Sequence, residues 1–325
     1  MNVLLYYSNL STDSGLDELD VLEEAAFFKT HLEELDYKVH SYAFPNNFNE
    51  LEKHKLLFNP EFIVNLVETI NNDGRLIHIA PSFFDYLKIP YTGCSSESIY
   101  LSSNKLLTKI FLSANNVNMP QYLDRKNIEK NFNANYEYLI KSVWEHASVG
   151  LDESTLRLYS DKKDIFEILN NAHKIGKEVF AEQYIDGREF NIAMLGSDNG
   201  PQVLSPAEII FQNYPDEKLK VVGYRAKWIK DTFEYKNTIR TFDFKTEDSG
   251  LLNELKKICL KCWDIFNLKG YARVDFRIAQ NGYPYVLEVN TNPCFSSDGG
   301  FIAAVKKTNI SYKELFQRII NEAYK

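Results

Sequence analysis

Little in this chain breaks, crosses a membrane or repeats. Of 325 residues only 14 are glycine and 10 are proline, which excludes linker-rich and low-complexity architectures and leaves an ordered globular protein. No apolar run approaches the length that spans a bilayer. The opening MNVLLYYSNL has neither a basic n-region nor a long apolar stretch, so a cytoplasmic protein with no membrane partner is expected. Positive charge is not in excess: 37 basic against 45 acidic residues give a net charge of −8. That balance argues against non-specific nucleic-acid binding, and any phosphate site must be made by local lysines. Cysteine is limited to Cys94, Cys259, Cys262 and Cys294. Cys259-x-x-Cys262 has redox or zinc spacing, but it falls in an apolar-periodic helix without a second ligand pair and reads as buried structural thiols. No Ser-His or Cys-His dyad is evident.

What is present is core-forming. Hydrophobic residues make up 44% and aromatics 14%, with 20 Tyr and 22 Phe, enough for two or three compact units. The first third alternates strands (2–7, 37–44, 62–67) with helices (16–35, carrying Leu19, Leu22, Ala25, Ala26, Leu32 and Leu35 inward, and 76–87). This β-α-β order predicts a small parallel sheet with helices on both faces. Helices are then expected at 104–115, capped by Ser102 or Ser103, and at 162–174, 250–266, 300–306 and 312–323. Strands are expected at 138–143, 179–184, 189–195, 203–211 and 220–227.

The densest chemistry lies in GYARVDFRIAQNGYPYVLEVNTNPCFS, residues 270–296. Asn281-Gly282 is a strong type I′ hairpin signal, since both central positions of that turn need φ > 0. With those two residues as the loop, Gln280 pairs with Tyr283, Asp275 falls opposite Glu288, and Arg273 falls opposite Asn290. Ala272, Val274, Phe276 and Ile278 form the other face with Val289, Leu287 and Tyr285. Opposed carboxylates repel unless a cation lies between them, and Asn290 supplies a third oxygen of the kind Mg²⁺ accepts. Arg273 adds fixed positive charge where phosphate oxygens or a developing oxyanion would need neutralising. The other reading is a solvent-facing ladder of charges, with Arg277 pairing Glu288.

Three lysines stand out of pattern. Lys105 opens a helix, Lys141 shares a strand face with Leu139 and Val143, and Lys227 closes the strand 220–227. The small-residue loop EHASVGL after Lys141 could cradle phosphates with its N–H groups, or be an ordinary surface loop. The pair AEQYIDGREF offers a strand edge plus carboxylates that could hold an adenine and a ribose, or be an ordinary hairpin.

In this order, YTG at Tyr91, SSNK at Ser102, LIK at Leu139, EHASVG at Glu145, EQYIDGREF at Glu182, YRAKW at Tyr224, ARVDFR at Ala272 and LEVNTNP at Leu287 resemble the ATP-grasp ligases of the D-alanine–D-alanine ligase-like branch, from about Val64 to the C-terminus. The resemblance implies an α/β (α+β) ATP-grasp fold of three subdomains. These are an N-terminal parallel βαβ domain (1–94), a central subdomain (95–178) and a C-terminal subdomain with the metal site (179–325), with ATP between the last two. It implies that Lys105, Lys141 and Lys227 contact ATP phosphates, that Glu182, Tyr184 and Ile185 border the adenine, and that Glu189 binds the ribose hydroxyls. Asp275, Glu288 and Asn290 would hold Mg²⁺, with Mn²⁺ as the alternative ion. Arg273 and Lys227, with Ser148 and Gly150 of the loop, form the implied catalytic group. The implied reaction is attack of a carboxylate on the γ-phosphate, then attack of an amine on the acyl phosphate, joining small molecules such as amino acids. A homodimer is common in the family.

The substrate side departs from that pattern. The family loop EGSSVG is EHASVG, with His146 for glycine and Ala147 for serine. The tyrosine expected after Ala226-Lys227 is Trp228, the glycine after Asn-x-Pro is Cys294, and the serine-leucine pair for an acceptor carboxylate falls on Gly299-Gly300. Asp20 falls near the family's glutamate for the donor ammonium, or belongs to a solvated helix face with Asp17, Glu18, Glu23 and Glu24. Asp298 is a candidate contact for a substrate amine, or an N-cap for the helix after Gly300. The expected function is an ATP-dependent carboxylate–amine ligase. The alternatives are a genuine D-alanine–D-alanine ligase with an altered pocket, and a non-catalytic ATP-binding regulatory protein.

Overall fold

The structure, a computed structural model, describes residues 1–10, 14–144 and 152–325. Ser148 and Gly150, with His146 and Ala147, lie outside the described residues.

Strands β1 (Asn2–Tyr7), β2 (Lys38–Ala43) and β3 (Phe62–Leu66) form a parallel sheet in the order β2-β1-β3. The inner strand β1 and its neighbour β3 are buried, mostly apolar runs because helices cover both faces, whereas β2 is an edge strand of mixed exposure. One face packs on Leu16–Glu33 and on the C-terminal helices Gly300–Lys307 and Tyr312–Ala323 through Phe28, Phe295, Phe301 and Phe316. Phe28 meets Phe295 and Phe316 edge-on at 5.0 Å. Burying such a ring stabilises by roughly 2–3 kcal/mol, so the two chain ends are joined by one core. The other face packs on Ile79–Leu87 through Phe84. There Pro81 sits in the first turn of that helix, where its missing N–H costs nothing.

A second sheet has the order β4-β6-β5, from β4 (Tyr122–Leu123), β5 (Tyr138–Ser142) and β6 (Val179–Gln183). The third has six strands: β7 (Gly187–Leu195), β8 (Gln202–Val203), β9 (Ala207–Phe211), β10 (Thr238–Thr241), β11 (Tyr271–Ala279) and β12 (Pro284–Asn290). Its path is β10-β9-β7-β11-β12, and β8 pairs with β7. The helix Ser249–Ile265 covers it, with Cys259 and Cys262 fully buried against Phe190, Val274 and Phe276. Gly187 joins the second and third sheets. A Cβ there would lie 1.9 Å from the Ile278 carbonyl oxygen, so only glycine fits between the strands.

Several elements differ from expectation. In Leu16–Glu33 the buried stripe is Val21, Glu24, Ala25, Phe28 and Leu32, while Leu19, Leu22 and Ala26 are exposed. The helix after Asn104 is capped by the Asn104 side chain, which accepts from Leu106 and Leu107 N–H; Ser102 and Ser103 end a separate helix, Ser96–Ser103. The segment 203–211 is two strands rather than one. The segment 220–227 is no strand, and Lys227 lies in a short helix, Tyr224–Trp228. The helix Asn49–Phe58 was not anticipated, because only Leu51 of its apolar residues is buried.

Candidate functional site

The hairpin β11–β12 is the floor of a cavity of about 690 Å³. Asp275 faces Glu288 and Arg273 faces Asn290, as the alternation requires. The turn is not type I′, however: Gly282 has φ +85, whereas Asn281 is absent from the positive-φ residues. The Gly282 N–H closes on the Ala279 carbonyl, and Ala279 N–H on the Tyr283 carbonyl, so Ala279 rather than Gln280 is the partner of Tyr283. Phe276 pairs with Val286, a register shift that makes Leu287 the extra residue of a β-bulge. Val286 and Val289 enter the core, and Tyr285 does not. Leu287 turns with Glu288 toward the cavity instead of into the core.

Arg273 grips Asp275 with two parallel bonds, Nε to Oδ1 and Nη2 to Oδ2, both 2.8 Å, and its Nη2 lies 3.9 Å from Glu288 Oε1. Burial pushes the Asp275 carboxyl up to about 6 against the pull of Arg273. Burial would also raise Glu288, but Lys105, Lys227 and Arg273 hold it well below the usual carboxylate range. A hard cation between two such oxygens would relieve their repulsion, and with the Asn290 side chain beside them the donor set suits Mg²⁺. Arg277 does not pair with Glu288. It pairs with Glu189 at 2.8 Å and donates to the Gly187 carbonyl at 2.9 Å.

The roof and walls bring the other candidates together. Lys105 begins Lys105–Ala114, and its N–H donates to the Val143 carbonyl at 3.0 Å. Glu182 on β6 is 3% exposed. It lies between Lys141, which donates to its Oε2, and Lys109, whose Nζ is 2.6 Å from Oε1. The Lys109 contact is an ion pair by distance without hydrogen-bond geometry. Burial disfavours the Glu182 charge, but the two lysines outweigh it and keep the pKa low. Tyr184 and Ile185 follow at the strand end, and both line the cavity with Leu139, Glu189 and Lys227.

Sequence reasoning missed two ties on the Lys227 segment. Glu153 accepts from the N–H groups of Gly223 (2.9 Å), Ala226 (3.0 Å) and Arg225 (2.9 Å), capping Tyr224–Trp228 at its start. Tyr224 Oη donates to Asp17 Oδ1 at 3.0 Å. A helix of five residues does not hold itself, so these contacts place Lys227. Neither partner is near in sequence, and no local pattern marks them.

An acidic wall faces this end of the cavity. Asp20, Glu24 and Glu68 line it. Glu24 is 4% exposed, so the acids of this helix are not uniformly solvated. Its place on the stripe of Val21, Ala25 and Phe28 was the available signal. Glu68 lies just past the C-terminal end of β3, where ligands of parallel sheets gather. Burial, then the neighbouring acids, raises Glu24 well above its ordinary value and Glu68 to about 8. Cys294 Sγ donates to Asp20 Oδ2 at 2.9 Å and contacts Ser296 Oγ at 2.8 Å. Burial pushes this thiol far up, so it is a protonated donor rather than a thiolate ligand, although Asp20, Glu24 and Cys294 offer ligand atoms within 4.8 Å of one another. Asp298 lines the cavity. It does not cap the following helix, whose N-cap is Gly299, without a side-chain bond.

Residues 109–321 match the family model described as D-ala D-ala ligase C-terminus. D-alanine–D-alanine ligase B of Clostridium perfringens is 27% identical over 292 residues, covering 89% of this chain and 88% of that protein. The D-alanine–D-alanine ligase of Marinomonas is 30% identical over 259 residues, 78% of this chain and 74% of the relative. Among solved structures, D-alanyl-alanine synthetase A from Vibrio cholerae superposes with a TM-score of 0.78 at 17% identity, over 100% of this chain and 98% of the other. The D-alanine–D-alanine ligase of Bacillus anthracis complexed with ATP gives 0.72 at 18%, over 100% and 97%. At these identities the structures establish the fold, and the sequence matches establish kinship.

Proposed function

The chain belongs to the D-alanine–D-alanine ligase family of ATP-grasp enzymes, and from that premise we propose that it uses ATP to join the carboxylate of one amino acid to the amine of another, with a substrate pair other than two D-alanines. The observation that carries the reading is the convergence, in one cavity, of the Asp275–Glu288–Asn290 oxygen set, Arg273, the three lysines and the strand edge Glu182–Ile185. Phosphoryl transfer asks little of covalent groups and much of positioned positive charge.

In this reading Lys105, Lys141 and Lys227 bind the phosphates, Tyr184 and Ile185 border the adenine, and Glu189, oriented by Arg277, takes the ribose hydroxyls. Asp275, Glu288 and Asn290 would hold Mg²⁺, which would supply charge neutralisation for phosphoryl transfer. A donor carboxylate oxygen attacks the γ-phosphorus and the bond to the ADP oxygen breaks. The amine then attacks the acyl carbon, its proton is lost, and phosphate leaves. Arg273 neutralises the oxyanion formed at that carbon. The Asp20–Glu24–Glu68 wall receives the donor's ammonium group, and Asp298 faces a substrate amine. We place the boundary between the two ATP-holding units at the Asp186-Gly187 turn, because Val179–Gln183 pairs with both β4 and β5.

The relatives' names favour D-alanine–D-alanine ligation. The substrate end favours another pair, because Trp228, Cys294 and Gly299-Gly300 replace the family's tyrosine, glycine and serine-leucine there. Phosphate release from Mg·ATP against L- and D-amino acids, singly and in pairs, with mass detection of products, decides between them. Release that requires one particular pair, with loss of one water in the product mass, is expected. Release with D-alanine alone would return the protein to the activity its relatives are named for, and release independent of any carboxylate would remove the ligase reading.

A further inference from the structure

We propose that Arg240 is the specificity-determining residue for the amine substrate, holding that substrate's carboxylate between its guanidinium and the start of the helix Gly300–Lys307. The inference rests on the ligase reading and adds to it the class of acceptor: an amino acid or peptide with a free carboxylate, not a simple amine.

Thr238 and Arg240 are two residues apart on β10 and share a face. Both line the cavity, together with Ile209, the register partner of Arg240. Arg240 is solvent-accessible and lines the cavity. Its one hydrogen bond among the described residues runs from Nη1 to the backbone carbonyl of Asp298, at 3.1 Å. The charged groups around it are Arg273, which repels it, and Asp298, which favours its charge. No carboxylate among the described residues forms an ion pair with it. By contrast, Arg273 and Arg277 are each paired with a buried acid. A guanidinium with unused donors beside a second cation is a host for an anion.

The opposite side of that host is bare backbone. A Cβ on Gly300 would come 3.6 Å from Arg240 Nη2, so the guanidinium and the helix start face each other with no side chain between them. The helix has no side-chain cap, and its first N–H groups have no intrahelical acceptor. Helix start and guanidinium thus lie side by side, and each is a kind of donor that a carboxylate accepts. Asp20, Glu24 and Glu68 line the same cavity. In this reading those acids serve the donor's ammonium and Arg240 serves the acceptor's carboxylate, so the two substrates meet groups of opposite charge. Arg240 is also separate from the lysines that surround Glu288, so the acceptor's carboxylate and the ATP phosphates have different cations.

The test compares an amino acid that supports turnover with its carboxamide, in the wild type and in Arg240→Gln, Arg240→Lys and Gly300→Ala. The wild type is expected to use the free acid about 10- to 100-fold better in kcat/KM, the range of a hydrogen bond to a charged group. Arg240→Gln should lose that preference through the acceptor KM and leave the KM for ATP unchanged. Arg240→Lys should recover part of it. Gly300→Ala meets only ordinary contacts and should fold, yet weaken the free acid alone. Equal use of acid and amide by the wild type, or a rise in the ATP KM without a change in acid preference, overturns the proposal. Should no amino acid support turnover, the ligase reading fails separately. Saturation-transfer NMR with alanine, glycine and their amides, on protein loaded with Mg²⁺ and a non-hydrolysable ATP analogue, then decides the role of Arg240. Acid-selective binding lost in Arg240→Gln supports it, and equal binding overturns it.

Discussion

Replacing Glu153 by alanine should cripple ATP use while leaving the fold almost untouched. The Glu153 carboxylate satisfies three backbone N–H groups at the start of Tyr224–Trp228, and that helix carries Lys227. Loss of a side-chain cap at a half-exposed site costs about 1–2 kcal/mol. The penalty falls on placing one short helix, which Tyr224–Asp17 and Arg225–Glu234 continue to tie. A 1–2 kcal/mol penalty lowers the population of the helix in place about 5- to 30-fold, so kcat/KM for ATP should fall by the same factor. The melting temperature should drop by only a few degrees, at about 2–4 °C per kcal/mol for a chain above 150 residues. Steady-state ADP release gives the first number, and hydrogen exchange at the amides of 223–226 should accelerate in parallel. Glu153→Gln should be intermediate: its carbonyl can still accept from Gly223 and Ala226, but its NH₂ would confront the Arg225 N–H. An alanine variant within twofold of wild type in kcat/KM, with unchanged exchange at those amides, would refute the idea that this carboxylate positions Lys227.

Asp275→Asn should raise the Mg²⁺ concentration needed for half-maximal turnover and cut kcat, each by about 10²-fold; a metal titration unchanged from wild type contradicts the metal assignment. Glu182→Gln leaves Lys109, 1% exposed, without its counter-charge. Breaking a buried pair this way costs about 3–5 kcal/mol, so a clear fall in melting temperature is expected, and no fall would show that the pair is dispensable. The Glu68 carboxyl titrates near 8 in the fold against an ordinary 4.5. Between those values the native state holds a proton that the unfolded chain has released, so stability of the ligand-free protein declines as pH rises through this window. Glu68→Gln should therefore raise the melting temperature at pH 8, leave it unchanged near pH 4.5 and flatten the profile; parallel wild-type and variant profiles contradict this.

What the sequence shows of the site follows from what is local. The Asp275–Glu288 and Arg273–Asn290 pairs are legible because strand alternation fixes which residues share a face. The bulge at Leu287 is not legible, since inserting one residue changes no composition or period, yet it sends a leucine into the cavity and Val286 into the core. The inward face of the helix 16–33 is not legible, because leucines lie on both sides of it, and Leu16 and Leu19 line the cavity rather than the core. The segment VVGYRAKW alternates as a strand would, but it becomes helical at Tyr224 under a cap supplied from Glu153. Lys109, Glu153 and Arg240 carry no local signal for one reason: each acquires its role from a partner brought close only by the tertiary fold.

The most direct test of the central claim, that ATP activates a carboxylate as an acyl phosphate, is oxygen transfer. Turnover with the donor amino acid labelled in its carboxylate with ¹⁸O should place one labelled oxygen in each phosphate released, because the oxygen that attacks the γ-phosphorus leaves with that phosphate. Phosphate free of label, or label appearing in the nucleotide, would contradict the account.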